Sequence, residues 1–345
     1  MSMGLRAALL FALALLPASP ASADETPCRL PRLAKAEFVT QPDGEVLVPV
    51  SVNGTVQYFE LDGAPWSVIY QTEADRLGMG SHHHERDDGM FFGFGQKIDQ
   101  VKARRTTELV VGKVRWREFE FYALAVPKPA GTVAIGTLGM DFLENARLDV
   151  EINLSANAIN FIEADACPAP PWAPLARALL LKTDGALPVT VEGKSMAGYI
   201  YSRGENSVID VSALAQFGLT PHSPGLQPVT PQDSSVQPFL SHRFEEIDIG
   251  DAALSQAVVQ IIDVHDEAAD AAFHRRLQAL NPYNFVPHIS KTSPFNQIAL
   301  GRAELRRLRI YLMFHAGKAF VTPILSAPGT AISARPPAAA PAQGQ

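Results

Sequence analysis

Apolar and polar positions alternate with a period of two along most of this chain. The stretches VLVPVSV (46–52), TVQYFEL (55–61), TELVVGKV (107–114), EFEFYALAV (118–126) and LDVEINL (148–154) are rich in β-branched and aromatic residues. They are bounded by turn pairs such as Asp43-Gly44, Asn53-Gly54 and Val111-Gly112, the punctuation expected between half-buried strands. Helical signals are short, chiefly around 71–77 and FLENA at 142–146. The pattern predicts a mainly-β chain with few short helices.

The same order of signals occurs twice. LVPVSVNG (47–54) is matched by ALPVTVEG (186–193), and SVIYQTEADRLGM (67–79) by SVIDVSALAQFGL (207–219). LGMDFLENARLDVEINLSANAINFIE (138–163) is matched by LGRAELRRLRIYLMFHAGKAFVTP (300–323). Three collinear blocks imply duplication, which outranks any other fold signal. Between the copies CPAPPWAPLA (167–176) interrupts regular structure. The predicted organisation is a leader over 1–23, a first lobe over 24–166, a Pro-rich linker over 167–180, a second lobe over 181–325 and a disordered tail over 326–345. The second lobe carries insertions at 221–238 and at 266–280, the latter helix-like.

Composition agrees with two folded units. The chain has 345 residues, 47% hydrophobic and 19% charged, enough apolar material for two cores. A net charge of -7 without a long basic run gives no reason to expect nucleic acid as a partner. Residues 1–23 combine Arg6, the apolar run AALLFALALL and Ala21-Ser22-Ala23, the features of a cleavable signal peptide, and the run is short of a membrane span. That places the mature protein in the periplasm or outside the cell, with no membrane-spanning segment. The two cysteines, Cys28 and Cys167, read as one disulfide in an oxidising compartment, the alternative being two buried thiols.

Each copy contains a strand, a glycine turn, a second strand, a tight turn, Ser-Val-Ile, a short helix and a late apolar-apolar-Gly segment. In the first copy the centre reads FELDGAPWSVI (59–69) and the late segment IGTLGMDFL (135–143). On these residues the chain resembles the aspartic proteases, especially the retropepsin-like group, over nearly all of the expected mature chain. The resemblance implies an all-β, two-lobed double barrel of the pepsin type, with no cofactor and a cleft for an extended peptide or unfolded polypeptide. It also implies chemistry by two carboxylates, one per lobe, about 3 Å apart and sharing a proton.

Both copies depart from the family's Asp-Thr-Gly. Counting eight residues from Gly54 reaches Asp62, the candidate catalytic residue, followed by Gly63 and Ala64. Counting back from Ser-Val-Ile instead puts Leu61 at that place, so the register is open by one residue, and a slip of one reverses which face Asp62 occupies. The second copy reads YIYSRGENSVI (199–209), so that Tyr201, Ser202 or Arg203 stands where an aspartate belongs. Glu205 follows the turn and Asp210 reads as a helix N-cap. Ser202, Arg203, Gly204 and Glu205 join Gly63 and Ala64 as candidates to line the cleft. Arg203 would hold Asp62 ionised if it faced it, or bind a carboxylate of a ligand.

Other chemistry is less specific. His82, His83 and His84 with Glu85, Asp87 and Asp88 have metal-ligand types but read as a solvated loop, so no metal is assigned. Ser202 has no His/Asp partner at a recognisable spacing, and GFGQ (93–96) reads as a hairpin tip rather than a phosphate loop. The expected function is an exported, protease-like, peptide-binding protein impaired in catalysis. The alternative is an aspartic endopeptidase using Asp62 with a non-standard partner.

Overall fold

A computed structural model describes residues 28–42, 44–63, 66–82, 90–92, 96–98, 102–124, 128, 130–202, 204–229, 239–262 and 296–324. The expected leader, the tail and the helix-like stretch 266–280 lie outside the described residues.

The first half runs β1 (Arg32–Glu37), β2 (Val39–Thr40), β3 (Val46–Val52), β4 (Thr55–Leu61), β5 (Val68–Tyr70), α1 (Gln71–Arg76), β6 (Gly80–His82), β7 (Met90–Phe92) and β8 (Gln96–Ile98). It continues with β9 (Lys102–Arg105), β10 (Glu108–Val111), β11 (Val114–Arg117), β12 (Glu120–Leu124), β13 (Gly136–Leu138), α2 (Met140–Asn145), β14 (Asp149–Asn153) and β15 (Ala158–Ile162). The second half runs β16 (Leu179–Leu180), β17 (Leu187–Val191), β18 (Lys194–Ile200), β19 (Ser207–Asp210), β20 (Gln227–Val229), β21 (Phe239–Ile249) and β22 (Ala252–Ile262). It ends with β23 (Gln297–Leu300), α3 (Arg302–Leu305), β24 (Leu308–Met313) and β25 (Lys318–Pro323). The protein is an all-β double barrel.

Each lobe is one sheet curled on itself. In the second, β17, β18, β23, β19, β22 and β21 follow in order and β21 returns to β17, closing six strands. The first has the same order, with the two long strands of that barrel represented by broken pairs: β9 and β10 for one, β11 and β12 for the other. The breaks fall at Thr106-Thr107 and at Glu118, whose φ is 57°. The parallel and antiparallel neighbours also agree. β4 pairs with β13 as β18 does with β23, and β5 with β12 as β19 does with β22. The repeat seen in the residues is therefore a repeat of hydrogen-bonding topology.

A third sheet joins the lobes in the order β1, β15, β14, β24, β25, β16. Its centre is the antiparallel pair β14 and β24, with Val150 opposite Leu312, Glu151 opposite Tyr311 and Ile152 opposite Ile310. Because the repeat aligns Val150 with Ile310, Glu151 with Tyr311 and Ile152 with Leu312, this register is an approximate two-fold axis through Glu151 and Tyr311. Tyr311 donates to Asp149 Oδ2 at 3.0 Å across it.

Alternation drives the packing. In β3 Val46, Val48, Val50 and Val52 are buried, and Phe59, Trp116, Phe119, Phe121, Phe142 and Phe161 form the aromatic centre of the first core. Cys28 and Cys167 form the disulfide, with Cα atoms 5.9 Å apart and 139 residues between them in sequence. A loop that long gains about 4–5 kcal/mol in the chain-entropy account, before strain. The 167–180 stretch is more ordered than its prolines suggest: Leu175–Arg177 form a 3-10 turn and β16 pairs with β25. Its prolines lie at positions that donate no ladder hydrogen bond, so the end of the stretch is free to serve as an edge strand. No helix among the described residues is long and apolar enough to cross a membrane.

Candidate functional site

A second contact between the lobes with the same two-fold pattern lies where the ends of β4 and β18 meet. Asp62 N–H donates to Leu138 O at 3.0 Å, and Tyr201 N–H donates to Leu300 O at 2.9 Å. The two residues also lie the same distance beyond their hairpin glycines, Gly54 and Gly193, which hold positive φ of 84° and 77°. Asp62 and Tyr201 are thus equivalent, and an antiparallel bridge joins them to each other.

The flanking contacts obey the same symmetry. Gly63 N–H donates to Ile200 O at 2.6 Å, and across the axis the Ser202 hydroxyl donates to Leu61 O. A Cβ on Gly63 would lie 2.8 Å from both the N and the O of Ile200, so only glycine permits this approach of the two backbones. Asp62, Tyr201 and Ser202 are buried. Side chains directly opposite in an antiparallel pair share a face, with Cβ atoms about 4.5–5.5 Å apart. The ring of Tyr201 lies against Gly204, where a Cβ would sit 2.2 Å from Tyr201 Cε1.

The open register has a simple resolution. Ser67 and Ser207 are a second equivalent pair: each hydroxyl accepts from the N–H of the late glycine, Gly139 or Gly301, at 2.9 Å. Asp62 to Ser67 spans five positions and Tyr201 to Ser207 spans six. The first turn is one residue shorter, so counting from either end agrees with the structure only on its own side of the turn. The count from Gly54 is the one that β4 follows.

The remaining sequence candidates scatter. Glu205 points to the outside of its turn, half-exposed, accepting from Arg302 Nε at 3.1 Å and Arg306 Nη1 at 2.8 Å. Arg302 is itself buried and donates from Nη1 to Ser202 O at 3.0 Å, which braces the turn from behind. Asp210 caps the 3-10 turn Val211–Phe217 by accepting from Ser212 N–H at 2.8 Å. Neither carboxylate stands at the axis. Ala64 and Arg203 lie outside the described residues. So do His83, His84, Glu85, Asp87, Asp88 and the tip 93–95, while His82 ends β6 and Gln96 opens β8, which pairs with β7. Among the described residues there is no cluster of His, Cys, Asp and Glu able to hold a metal.

Comparisons add a faint likeness. No family model and no curated protein matches the chain. Among solved structures, a retropepsin-like aspartic protease from Rickettsia conorii matches with 16% identity and a TM-score of 0.26, over 39% of this chain and 95% of that one. A likeness of that size decides nothing about activity.

Four residues that the sequence reading passed over belong to the site's frame. Ser67 donates to Asp141 Oδ1 at 2.7 Å, and Ser207 donates to Glu304 Oε2 at 2.6 Å. Asp141 also accepts from Phe142 N–H at 2.8 Å. Burial pushes the Asp141 carboxyl up to about 7, against the opposing pull of its hydrogen bonds from Ser67 and Phe142. Burial likewise raises Glu304, with the Ser207 hydrogen bond and the Arg307 charge pulling down. All four lie inside the aligned blocks, SVI and LGMD against SVI and LGRAE. The signal was present, but a serine in a strand and a carboxylate in a helix look ordinary until they meet.

Proposed function

We propose that this is an exported, aspartic-protease-like protein that holds an extended peptide segment between its lobes and does not cleave it by a paired-carboxylate mechanism. One observation carries the reading: the residue equivalent to Asp62, and bridged to it, is Tyr201. A dyad needs two carboxyls close enough that they cannot both ionise, one then acting as base on water while the other donates to the scissile carbonyl. A phenol ordinarily titrates near 10 and gives no such division of labour with one aspartate. Extended peptides suit the surface because strand edges offer main-chain hydrogen bonds. Export rests on residues 1–23.

The burial of Asp62 at the axis favours one second reading, an endopeptidase in which Asp62 acts with Tyr201 as its partner. Digestion of a denatured protein mixture across pH 3–7 by the purified protein and by Asp62→Asn separates the two. The first reading expects no cleavage by either. Cleavage by the unaltered protein that Asp62→Asn abolishes would replace it with the second.

A further inference from the structure

We propose that the Cys28–Cys167 disulfide is the latch of a strap, residues 167–178, that covers the joint between the lobes, and that a dithiol opens the latch at Cys28 while both barrels stay folded. The proposal goes beyond the reading above and does not rest on it.

The sheet that joins the lobes has two faces. Val150, Ile152, Phe161, Ile310 and Leu312 point from it into the large core, whereas Ile162, Tyr311, Met313 and Phe320 turn the other way. The strap lies on that second face, with Ala173 buried and Ala169, Trp172 and Ala178 packed beside it. The Trp172 ring meets Tyr311 edge-on, centroids 6.2 Å apart, and the Arg309 guanidinium carbon lies 4.5 Å from the Trp172 ring centroid. Tyr311 stands opposite Glu151 at the centre of the β14–β24 pair, so the strap bears on the middle of the joint.

Backbone hydrogen bonds do not hold the strap to the sheet. Pro168, Pro170, Pro171 and Pro174 have no N–H, and the N–H groups of Ala173, Arg177 and Ala178 donate to Pro170, Pro174 and Leu175 carbonyls within the strap itself. Its far end is fixed by β16 on β25 and by the Arg177–Asp251 ion pair at 2.7 Å. Its near end is fixed by the disulfide. Closure has a cost, because Trp172 Nε1–H is buried without a hydrogen-bond partner among the described residues, and water satisfies that donor once the strap lifts. A segment tied at its two ends, resting on side-chain contacts and carrying an unsatisfied donor, opens from whichever end is released.

The release has a defined entry. Cys28 is exposed and Cys167 is buried, so a thiolate of the dithiol attacks Cys28 Sγ. As that sulfur–sulfur bond forms, the bond to Cys167 breaks, and Cys167 leaves as a thiolate that takes a proton from water. The second thiolate of the reagent then closes its own disulfide and frees Cys28 as a thiol. Two electrons pass from the dithiol to the protein.

Hydrogen–deuterium exchange of the full chain, as isolated and after treatment with dithiothreitol, tests this. The amides of 169–178 are expected to lose protection by about tenfold or more on reduction, while β3, β4, β17 and β18 keep theirs. Unchanged protection of 169–178 overturns the proposal, and so does a bond that dithiothreitol reduces only in denaturant. A loss shared by the barrel strands also overturns it, since the bond would then support the fold and not latch a strap. Brief treatment with a monothiol, an acid quench and peptide mapping check the entry: the adduct is expected on Cys28, and an adduct on Cys167 alone overturns the assignment. The Cys28→Ser, Cys167→Ser chain should show the reduced pattern without reagent, and the unaltered chain decides the matter even if that variant folds poorly.

Discussion

The two turns at the axis are built alike and filled differently. Each begins with an N–H bonded to the late leucine's carbonyl, passes through a glycine, and ends on a serine tied to a glycine N–H and a carboxyl. Within that frame one lobe presents Asp62 and the other Tyr201. The first turn is shorter and passes the partner lobe with a glycine, Gly63; the second is longer, uses the Ser202 hydroxyl for the same crossing and is braced by Arg302. The frame answers to folding, because its buried N–H and hydroxyl groups must all find partners. The copies diverge at the central side chain.

The largest effect expected is one the lobes share. Asp141 has a folded-state value raised to about 7 against an ordinary 3.8. Its contribution is therefore complete below pH 4 and lost as pH rises through 7, up to about 4 kcal/mol at 1.36 kcal/mol per unit. Glu304 acts in the same direction, and so does Asp149, pushed up to about 6 chiefly by burial. Urea denaturation should find the protein more stable at pH 4.5 than at pH 8, and greater stability at pH 8 would contradict this account.

Gly63→Ala would break the comparison at its tightest point. The added methyl meets backbone atoms of Ile200 at 2.8 Å, and the two lobes have to separate to admit it. About 3 kcal/mol of destabilisation is expected from such overpacking, measured as a shift of the urea midpoint. Gly54→Ala, in open space at positive φ, serves as the control for backbone strain alone and should cost about 1 kcal/mol.

Tyr201→Asp would sharpen the comparison by making the centres alike. Opposed Cβ positions bring the new carboxyl near Asp62, and Gly204 no longer supports a ring. Peptide cleavage with an acid optimum should rise by about 100-fold over the unaltered protein, the scale of general acid–base catalysis. Adding Asp62→Asn should remove the gain. A folded Tyr201→Asp that cleaves nothing would show that more than residue 201 separates the lobes.

Ser202→Ala is the smallest of the four. It deletes the buried hydroxyl that donates to Leu61 O, at about 1–2 kcal/mol, again read from the urea midpoint. A neutral result would mean that the crossing is held by Gly63 and the β14–β24 pair alone.

Much of this molecule was readable in its residues, because period-two alternation and repeated glycine turns are local and survive divergence. Blocks such as LVPVSVNG and ALPVTVEG are strands whichever neighbours they find. The repeat and the all-β class were visible in the same way, and the Cys28–Cys167 bridge was expected from two cysteines in an oxidising compartment. The 167–180 stretch was not: its prolines announce a linker, and only the free edge of β25 recruits Leu179–Leu180 as a strand.

The site's register also lay beyond local reading. Two counts disagreed by one residue, and a deletion inside a turn leaves no trace in alternation on either side of it. Hydrogen bonds to the Leu138 and Leu300 carbonyls decide it, since each carbonyl can receive only the N–H that the barrel brings to it. Sequence alone determined that two like lobes exist and that one lacks an aspartate. Tertiary structure decided that Tyr201 is the residue facing Asp62, and that two serines and two carboxyls far apart in the chain close the turns around them. Strand identity is a matter of neighbours a few residues away, whereas opposition across an axis depends on contacts between residues more than a hundred positions apart.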